Sequence, residues 1–411
     1  MNNKLKLAVA AALVAGASSA NAGIMIPAGD WTLDIGGVVN AYYTSTSFSS
    51  DTGSAAGYGA LMTGSNALNG GADIDGTANN ITTGLLPNYL SVSGKTRQND
   101  LDVGFTISIN PGASTNNAGI QGANQENRQA FLTFGDASWG SIKLGKDLGI
   151  YASDAILNDM TLLGVGAGAG GLAGNTTTLG RIGTGFMYAD WKSQVAYTSP
   201  NWNGFSFTAG VTQGWDAIAV LVPNSATSTD RSGSQSAYEA KASYAWTGDV
   251  AGKVWASAIT QKVEFAGALG SDRATAWDVG ANVNVAGFGI TGYYGDGDGI
   301  GQTVQLNGGF DATGKSRDSD QWYVQGTYTI PGAGTKLGVS YGESTLEGNS
   351  ADAAVWDEVT DSMWTIGAYH PLTKHLNLVA EYSVVESELD TAAGNFDAKA
   401  KTIALGAILF F

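Results

Sequence analysis

Residues that could carry catalysis are scarce in this sequence of 411 residues. It contains no cysteine and only two histidines, His370 and His375, which lie five positions apart. Neither histidine is accompanied by the serine and carboxylate groups that nucleophilic and general acid–base catalysis bring together. A zinc site would likewise need further His or Cys ligands. We therefore expect no catalytic residues, no metal site, no cofactor and no enzymatic activity.

A glycine-rich segment, Gly164 to Gly174, contains one formal match to a nucleotide-binding pattern. Gly166, Gly168 and Gly171 have the spacing G-x-G-x-x-G. This spacing indicates dinucleotide binding only where it follows a strand and opens a helix. The surrounding sequence predicts neither element, so we interpret the segment as a loop with little side-chain bulk and a permissive backbone.

The composition narrows the class of protein. The chain has 59 glycines, 10% aromatic residues and 14% charged residues, and its formal net charge is -16. Soluble domains usually have about 25% charged residues and about 7% glycine. The acidic excess argues against nucleic-acid binding, which needs clustered Lys and Arg. The aromatic content argues against a chain that stays unfolded.

The amino terminus has the pattern of an export signal. Lys4 and Lys6 precede an apolar run from Leu7 to Ala17, and small residues follow at Ala20 and Ala22. The run is too short to span a membrane. We predict a signal peptide over residues 1–22 and one domain over residues 23–411. The rest of the chain has no window of about 18 apolar residues, so membrane insertion would have to use strands.

Apolar and polar residues alternate along most of the remaining sequence, as from Leu101 to Ile109 and from Trp277 to Val285. This period indicates strands that separate two environments. Seven short turns alternate with eight long connections. The last four long connections lie near 266–273, 297–319, 345–361 and 388–398. A secreted β-sandwich would also alternate, but it does not segregate short and long connections so strictly. We therefore predict an all-β fold, a sixteen-stranded antiparallel transmembrane β-barrel with short periplasmic turns and long outer loops.

The final strand must close this barrel. Apolar residues occupy every second position at the carboxyl end of the chain. A strand that closes a barrel in a membrane needs an apolar outer face. The predicted closing signal consists of Leu405, Leu409 and Phe411.

Several segments resemble the Gram-negative general porins, in an order and spacing that cover the whole mature chain. They are WTLDIGG at Trp31, NRQAF at Asn127, GSIKLGK at Gly140, TSPNWNGFSF at Thr198 and PLTKHLNLVAEY at Pro371. The resemblance implies a trimeric diffusion channel whose third outer loop, about 147–186, folds into the barrel. The sequence departs from the family in two places: Lys146 replaces an arginine, and the third loop has the glycine run in place of a P-E-F-G-G stretch. We interpret that run as favouring a wider opening.

The resemblance also implies which charges line the pore. In the family, carboxylates on the third loop face a ladder of cations on the opposite wall, and such charges tune selectivity. Arg128 occupies the family's wall-arginine position, with Gln129 and Phe131 expected to face outward. The predicted basic wall consists of Lys95, Arg97, Arg128 and Lys143. The predicted acidic residues of the loop are Asp147, Asp154 and Asp159, with Arg181 at its far end.

Together these expectations describe a homotrimeric outer-membrane channel, in contact with outer-membrane lipid, through which small hydrophilic solutes and ions diffuse passively. The acidic excess suggests a mild preference for cations, and no nucleic-acid partner is expected. The alternative is a non-conducting structural or adhesive barrel that binds a partner through its long loops. Single-channel recording would separate the two.

Overall fold

The computed structural model describes residues 23–50, 76–113, 125–168, 171–172, 176–218, 225–227, 235–265, 269–391 and 394–411. The predicted signal peptide, residues 1–22, lies outside the described residues. Within them, regular structure is almost entirely β. The third loop, residues 149–190, holds one short helix, α1 (Ser153–Asn158), and a 3-10 turn (Met160–Leu163). No helix in this part of the chain has the length and hydropathy of a membrane span.

The strand segments in chain order are β1 (Ile24–Ala28), β2 (Trp31–Ser50), β3 (Gly76–Thr82), β4 (Tyr89–Gln98), β5 (Leu101–Pro111), β6 (Gln125–Glu126), β7 (Ala130–Asp136), β8 (Gly140–Leu148), β9 (Gly171–Leu172), β10 (Thr177–Thr178), β11 (Trp191–Thr198), β12 (Phe205–Gln213), β13 (Ser236–Trp246), β14 (Val250–Glu264), β15 (Ser271–Val285), β16 (Phe288–Asp298), β17 (Asp318–Thr329), β18 (Lys336–Glu347), β19 (Glu358–Pro371), β20 (Leu376–Thr391) and β21 (Gly394–Phe410). The pair β9 and β10 forms a separate two-stranded sheet within the third loop.

The other segments form one closed antiparallel barrel. The last strand, β21, pairs with the first long strand, β2, from Val38 opposite Phe410 to Ser50 opposite Ala398. The large sheet has nineteen segments. Two barrel strands are interrupted, as β3 with β4 and β6 with β7, and β1 is a hairpin arm at the amino terminus. The barrel therefore has sixteen strands, and the predicted fold class is confirmed.

The alternation of side chains separates the lumen from the outer surface. On β2, Val38, Asn40 and Tyr42 are buried inside the barrel, whereas Val39 and Tyr43 are exposed on its outside. An exposed apolar face is stable where lipid covers it. The sequence period of two thus assigns the inner and outer faces of a barrel strand.

The two ends of the barrel differ in their connections. At one end the turns are tight: Asn99 and Asp100, between β4 and β5, have φ values of 49° and 64°. Two successive positive φ values give the backbone twist that matches a two-residue hairpin. At the other end lie the long loops, including residues 149–190 and 299–317.

Strands extend into two of the connections predicted as long loops, near 266–273 and 388–398. The β20–β21 ladder continues to Thr391 opposite Gly394, and the β14–β15 ladder continues to Glu264 opposite Ser271. Near the end of the barrel with the long loops, the outward-facing residues of these strands become charged, as at Glu386, because the strands extend beyond the apolar layer of the membrane. A segment rich in charged residues has the composition of a loop, yet here the backbone hydrogen bonds between neighbouring strands continue through it.

Loop residues fill one part of the lumen. Residues 299–317 and parts of the third loop pack against the inner face of β13–β15 and form an apolar cluster that includes Tyr151, Met187, Ala276 and Phe310. We call this cluster, with the loops that form it, the filled region. Elsewhere, between the third loop and β4–β13, a cavity of about 480 Å³ remains, and we call it the open cavity.

Candidate functional site

The third loop, residues 149–190, crosses the lumen and contacts strands on its far side. The Tyr42 hydroxyl of β2 donates to the carbonyl of Leu163 at 2.7 Å. The backbone N–H of Met160 donates to Gln325 of β17 at 2.9 Å. These contacts confirm that the loop folds into the barrel.

Glu239 of β13 fixes the point where the third loop leaves the wall. Its carboxylate accepts the backbone N–H groups of Ile150 and Tyr151 at 2.7 and 2.9 Å. It also accepts Thr212 Oγ1 at 2.7 Å and forms an ion pair with Lys192 at 2.6 Å. The Glu239 and Lys192 side chains are both 0% exposed. A buried carboxylate needs such donors, and here the loop backbone supplies two of them.

Glu381 of β20 holds the middle of the loop in a similar way. It accepts the N–H groups of Val165 and Gly166 at 2.7 and 2.9 Å and the Tyr369 hydroxyl at 2.6 Å. A Cβ atom at Gly164 would collide with the carboxylate of Glu381. The glycine at the start of the run therefore lets the loop backbone approach a carboxylate of the barrel wall. This packing requirement explains the glycine more directly than the wider pore opening inferred from the small side chains.

Asp154, on α1, is the predicted loop carboxylate that reaches cations of the wall. It forms ion pairs with Lys253 of β14 and, at 3.3 Å, with Lys241 of β13. Burial opposes ionisation, but the two lysines outweigh it and hold the pKa of the Asp154 carboxyl below its usual value. Both lysines lie outside the basic wall expected from the sequence. Their inward orientation follows from alternation, but their partner depends on the path of the loop.

Asp159 has a different place from the one expected. It caps the 3-10 turn by accepting Thr161 N–H and Thr161 Oγ1 at 2.9 and 2.8 Å. Burial raises the pKa of its carboxyl, although Arg181 opposes this effect. The described contacts place it inside the loop, where it stabilises the turn, and it contacts none of the four predicted wall cations.

Asp147 belongs to β8 and not to the loop. It lies on the same inner face as Lys143, with which it forms an ion pair, and it accepts Gln129 Nε2 at 3.0 Å. The predicted boundary of the loop therefore begins two residues too early. The pair is a feature of the wall itself.

The outward orientation predicted for Gln129 and Phe131 is wrong. Phe131 lies opposite Gly145, on the inner face, and its ring centroid is 4.9 Å from Lys143 Nζ. Residues 127–129 are irregular, between β6 and β7. Because alternation does not continue through an interrupted strand, counting from Arg128 assigns the wrong face.

Arg128 is buried beside the third loop. It forms an ion pair with Glu126 at 2.8 Å, and its Nη2 donates to Thr176 of the loop at 3.3 Å. Its guanidinium lies 5.6 Å from the ring centroid of Trp191. These contacts hold the returning part of the loop against the wall.

Arg97 and Lys95 lie apart from this group. Arg97 forms ion pairs with Asp102 at 2.9 Å and Asp136 at 2.8 Å, beside the short turns. Lys95 precedes Arg97 by two residues on the same inner face of β4, and it is exposed. Of the four predicted wall cations, only Arg128 and Lys143 border the open cavity.

The open cavity has a mixed lining. Among the described residues, its charged members are three cations, Arg128, Lys143 and Lys241, and one carboxylate, Asp147. The remaining lining includes rings and aliphatic chains from both the wall and the loop, among them Tyr89, Phe131, Trp191, Ile156, Leu157 and Leu162. The cavity combines positive charge with apolar surface.

The predicted closing signal lies where the last strand meets β2. The N–H of Phe411 donates to the carbonyl of Gly37 at 3.0 Å, and the N–H of Gly37 donates back at 2.8 Å. A Cβ atom at Gly37 would lie 2.8 Å from the Phe411 ring. Leu405 and Leu409 are exposed on the outer face of β21.

Comparison with known proteins gives a family and a fold. The sequence profile of the Gram-negative porin family matches residues 8–390, whereas no curated protein sequence matches. Three similar solved structures are the anion-selective porin from Comamonas acidovorans (12% identity, 93% of this chain, 100% of that chain, TM-score 0.60), the outer-membrane channel DcaP of Acinetobacter baumannii (16%, 95%, 100%, 0.60) and the trimer form of OmpT from Vibrio cholerae (13%, 93%, 99%, 0.53). At these identities the structural likeness establishes the fold alone.

Proposed function

The chain belongs to the Gram-negative porin family, outer-membrane barrels for passive diffusion, and from this premise we propose that small hydrophilic solutes and ions cross it through the open cavity. One observation carries the proposal. The third loop is held on opposite sides of the lumen by Glu239 and Glu381, and the open cavity lies between this loop and the wall. Transport would need no cofactor, energy input or catalytic group.

The ion selectivity of the open cavity depends on which charges act on an ion inside it. The net charge of -16 favours cations. Each lining cation is compensated by a carboxylate partner, Arg128 by Glu126, Lys143 by Asp147 and Lys241 by Asp154, and charge beyond a Debye length of about 8–10 Å is screened at physiological salt. We propose a mild cation preference for small ions, strongest at low ionic strength. The fold does not decide the sign of selectivity, because one similar porin is described as anion-selective.

Planar-bilayer recording tests this function. We expect stepwise, voltage-independent conductance in KCl and a reversal potential of cation-selective sign in a KCl gradient, shrinking as salt rises. A folded barrel without conductance would support the non-conducting adhesive alternative. Conductance with an anion-selective reversal potential at low salt would retain the channel but contradict the cation preference.

We also propose that the mature protein begins after a cleaved signal peptide, residues 1–22, and assembles as a homotrimer. Leu405, Leu409 and Phe411 would serve as the assembly signal, because Phe411 closes the barrel against Gly37. Support for the trimer comes from the trimer form of OmpT, which shares the fold. The test is semi-native electrophoresis of the mature protein: a heat-labile trimer is expected, with less of it in Phe411→Ala, and a monomer in the unaltered protein would contradict the proposal.

A further inference from the structure

Two lysines place partly exposed ammonium groups on the open cavity. Lys143 is 30% exposed and pairs with Asp147. Lys241 is 26% exposed, donates to Ser153 Oγ at 2.9 Å and lies 3.3 Å from Asp154. An ammonium group has three donors, and these described contacts use one at Lys143 and two at Lys241. Both lysines therefore retain donor capacity toward the cavity.

The described lining holds one carboxylate, which offsets only part of the charge of the three cations. Asp147 already receives Lys143 Nζ and Gln129 Nε2. The third lining cation, Arg128, is paired with Glu126, which lies outside the lining. Cations therefore outnumber carboxylates by three to one in the described lining, and the carboxylates paired with Arg128 and Lys241 lie behind it.

Apolar groups lie directly beside these cations. The Phe131 ring centroid is 4.9 Å from Lys143 Nζ, so an aromatic face and a charge form one side of the cavity. The third loop presents Ile156, Leu157 and Leu162 on the other side. Water and simple ions gain nothing from this surface, whereas an apolar body that leaves water there is stabilised.

From this juxtaposition we infer that the open cavity contains a subsite for small organic anions with an aromatic or aliphatic body, such as aryl carboxylates. The carboxylate would bind Lys143 and Lys241, and the apolar body would lie between Phe131 and the loop. A volume of about 480 Å³ is within the usual range of small-molecule sites, about 300–1,000 Å³. The inference rests on the proposed function, since the ligand reaches the subsite as a permeating solute.

The chemistry distinguishes this ligand class from its neighbours. A neutral aromatic amide lacks the charge, acetate lacks the apolar body, and an aryl ammonium has no acceptor for the lysine N–H donors. Because the lysines are partly hydrated, each ion pair contributes modestly, and we expect weak, rapidly reversible binding that is compatible with transport.

The experiment is KCl conductance of the full-length channel at pH 7 with increasing benzoate, benzamide, acetate or benzylammonium at constant ionic strength. We expect benzoate to lower the conductance reversibly and to saturation, and the other three to have little effect. No block by benzoate, or equal block by benzamide, would overturn the inference. Absence of KCl conductance would instead contradict the proposed function, so the two failures are distinguishable.

Variants assign the block to the subsite. Lys143→Gln should raise the half-blocking benzoate concentration about fivefold, which corresponds to about 1 kcal/mol, and Phe131→Ala should also raise it. Lys262, on the outer face of β14 and paired with Glu264, provides a matched control; Lys262→Gln should leave the block unchanged. Semi-native electrophoresis, compared with the unaltered protein, shows that each variant has folded. Unchanged block in both Lys143→Gln and Phe131→Ala would overturn the inference.

Discussion

The filled region and the open cavity lie inside the same barrel but differ in the residues that face inward. Facing the filled region, Ala237, Ala274 and Ala276 leave room for loop side chains such as Phe310, and all four are buried. Facing the open cavity, Lys143 and Thr208 are polar and partly exposed. Small apolar residues on the wall thus accept a loop as a core, whereas polar residues leave a space that water can occupy.

The most disruptive change should remove the buried ion pair that joins residues 299–317 of the filled region to the connection between β18 and β19. Arg317 and Asp352 are both 0% exposed and joined at 2.7 Å. Arg317→Ala leaves a buried carboxylate without its cation, which typically costs about 3–5 kcal/mol. We expect residues 299–317 to detach, with a larger single-channel conductance and faster proteolysis of the loop.

An exposed ion pair provides the control for Arg317. Lys262 and Glu264 pair at 2.8 Å on the outer surface, and exposed pairs contribute about 0–1 kcal/mol. Lys262→Ala should change neither conductance nor proteolysis. If Arg317→Ala behaved in the same way, the filled region would not depend on this buried pair.

A smaller effect should distinguish the two carboxylates that hold the third loop. Glu239→Gln leaves Lys192 buried without its counter-charge, at a cost of about 3 kcal/mol or more. The described donors to Glu381 are neutral, so Glu381→Gln should cost only about 1–3 kcal/mol. The measurement is the frequency of brief closures and the urea concentration at half-unfolding. A larger effect of Glu381→Gln would contradict this ranking.

The sequence predicted the barrel well because alternation and connection length depend only on neighbouring residues. It predicted the charges of the pore less well. Lys253 and Glu239 are ordinary inward residues in their strands, and their partners are set by the path of a loop that has no period. Phe131 was assigned to the wrong face because the strand before it is interrupted. Contacts between distant segments carry the site, and a local pattern does not encode them.

In the open cavity, reversing one charge should alter selectivity while leaving the barrel intact. Lys143→Glu places a carboxylate beside Asp147 and makes the lining less positive. We expect the cation-to-anion permeability ratio to rise about threefold, since the site is partly screened by salt. Lys262→Glu, on the outer surface, should leave the reversal potential unchanged. An equal shift in both variants would show that only overall charge matters.

The smallest expected effect is that of changing the pH near neutrality on the ion pairs of Asp154. Its pKa lies below the usual 3.8 because Lys241 and Lys253 outweigh the cost of burial. The ion pairs therefore stabilise the docked loop at every pH above the usual value, and this contribution is lost as pH falls through the lowered pKa. Conductance noise should stay constant from pH 5 to 8 and rise below about 3.8, while Asp154→Asn should already be noisy at pH 7. A quiet Asp154→Asn channel would contradict this role.

Cysteine accessibility tests the route of transport most directly, because the native chain has no cysteine. Thr208→Cys places a thiol on the open cavity, and Ala276→Cys places one in the filled region. The measurement is single-channel conductance before and after a charged methanethiosulfonate reagent. A transport route through the open cavity predicts a lasting drop in conductance for Thr208→Cys and none for Ala276→Cys. The reverse result, or equal drops at both positions, would contradict it.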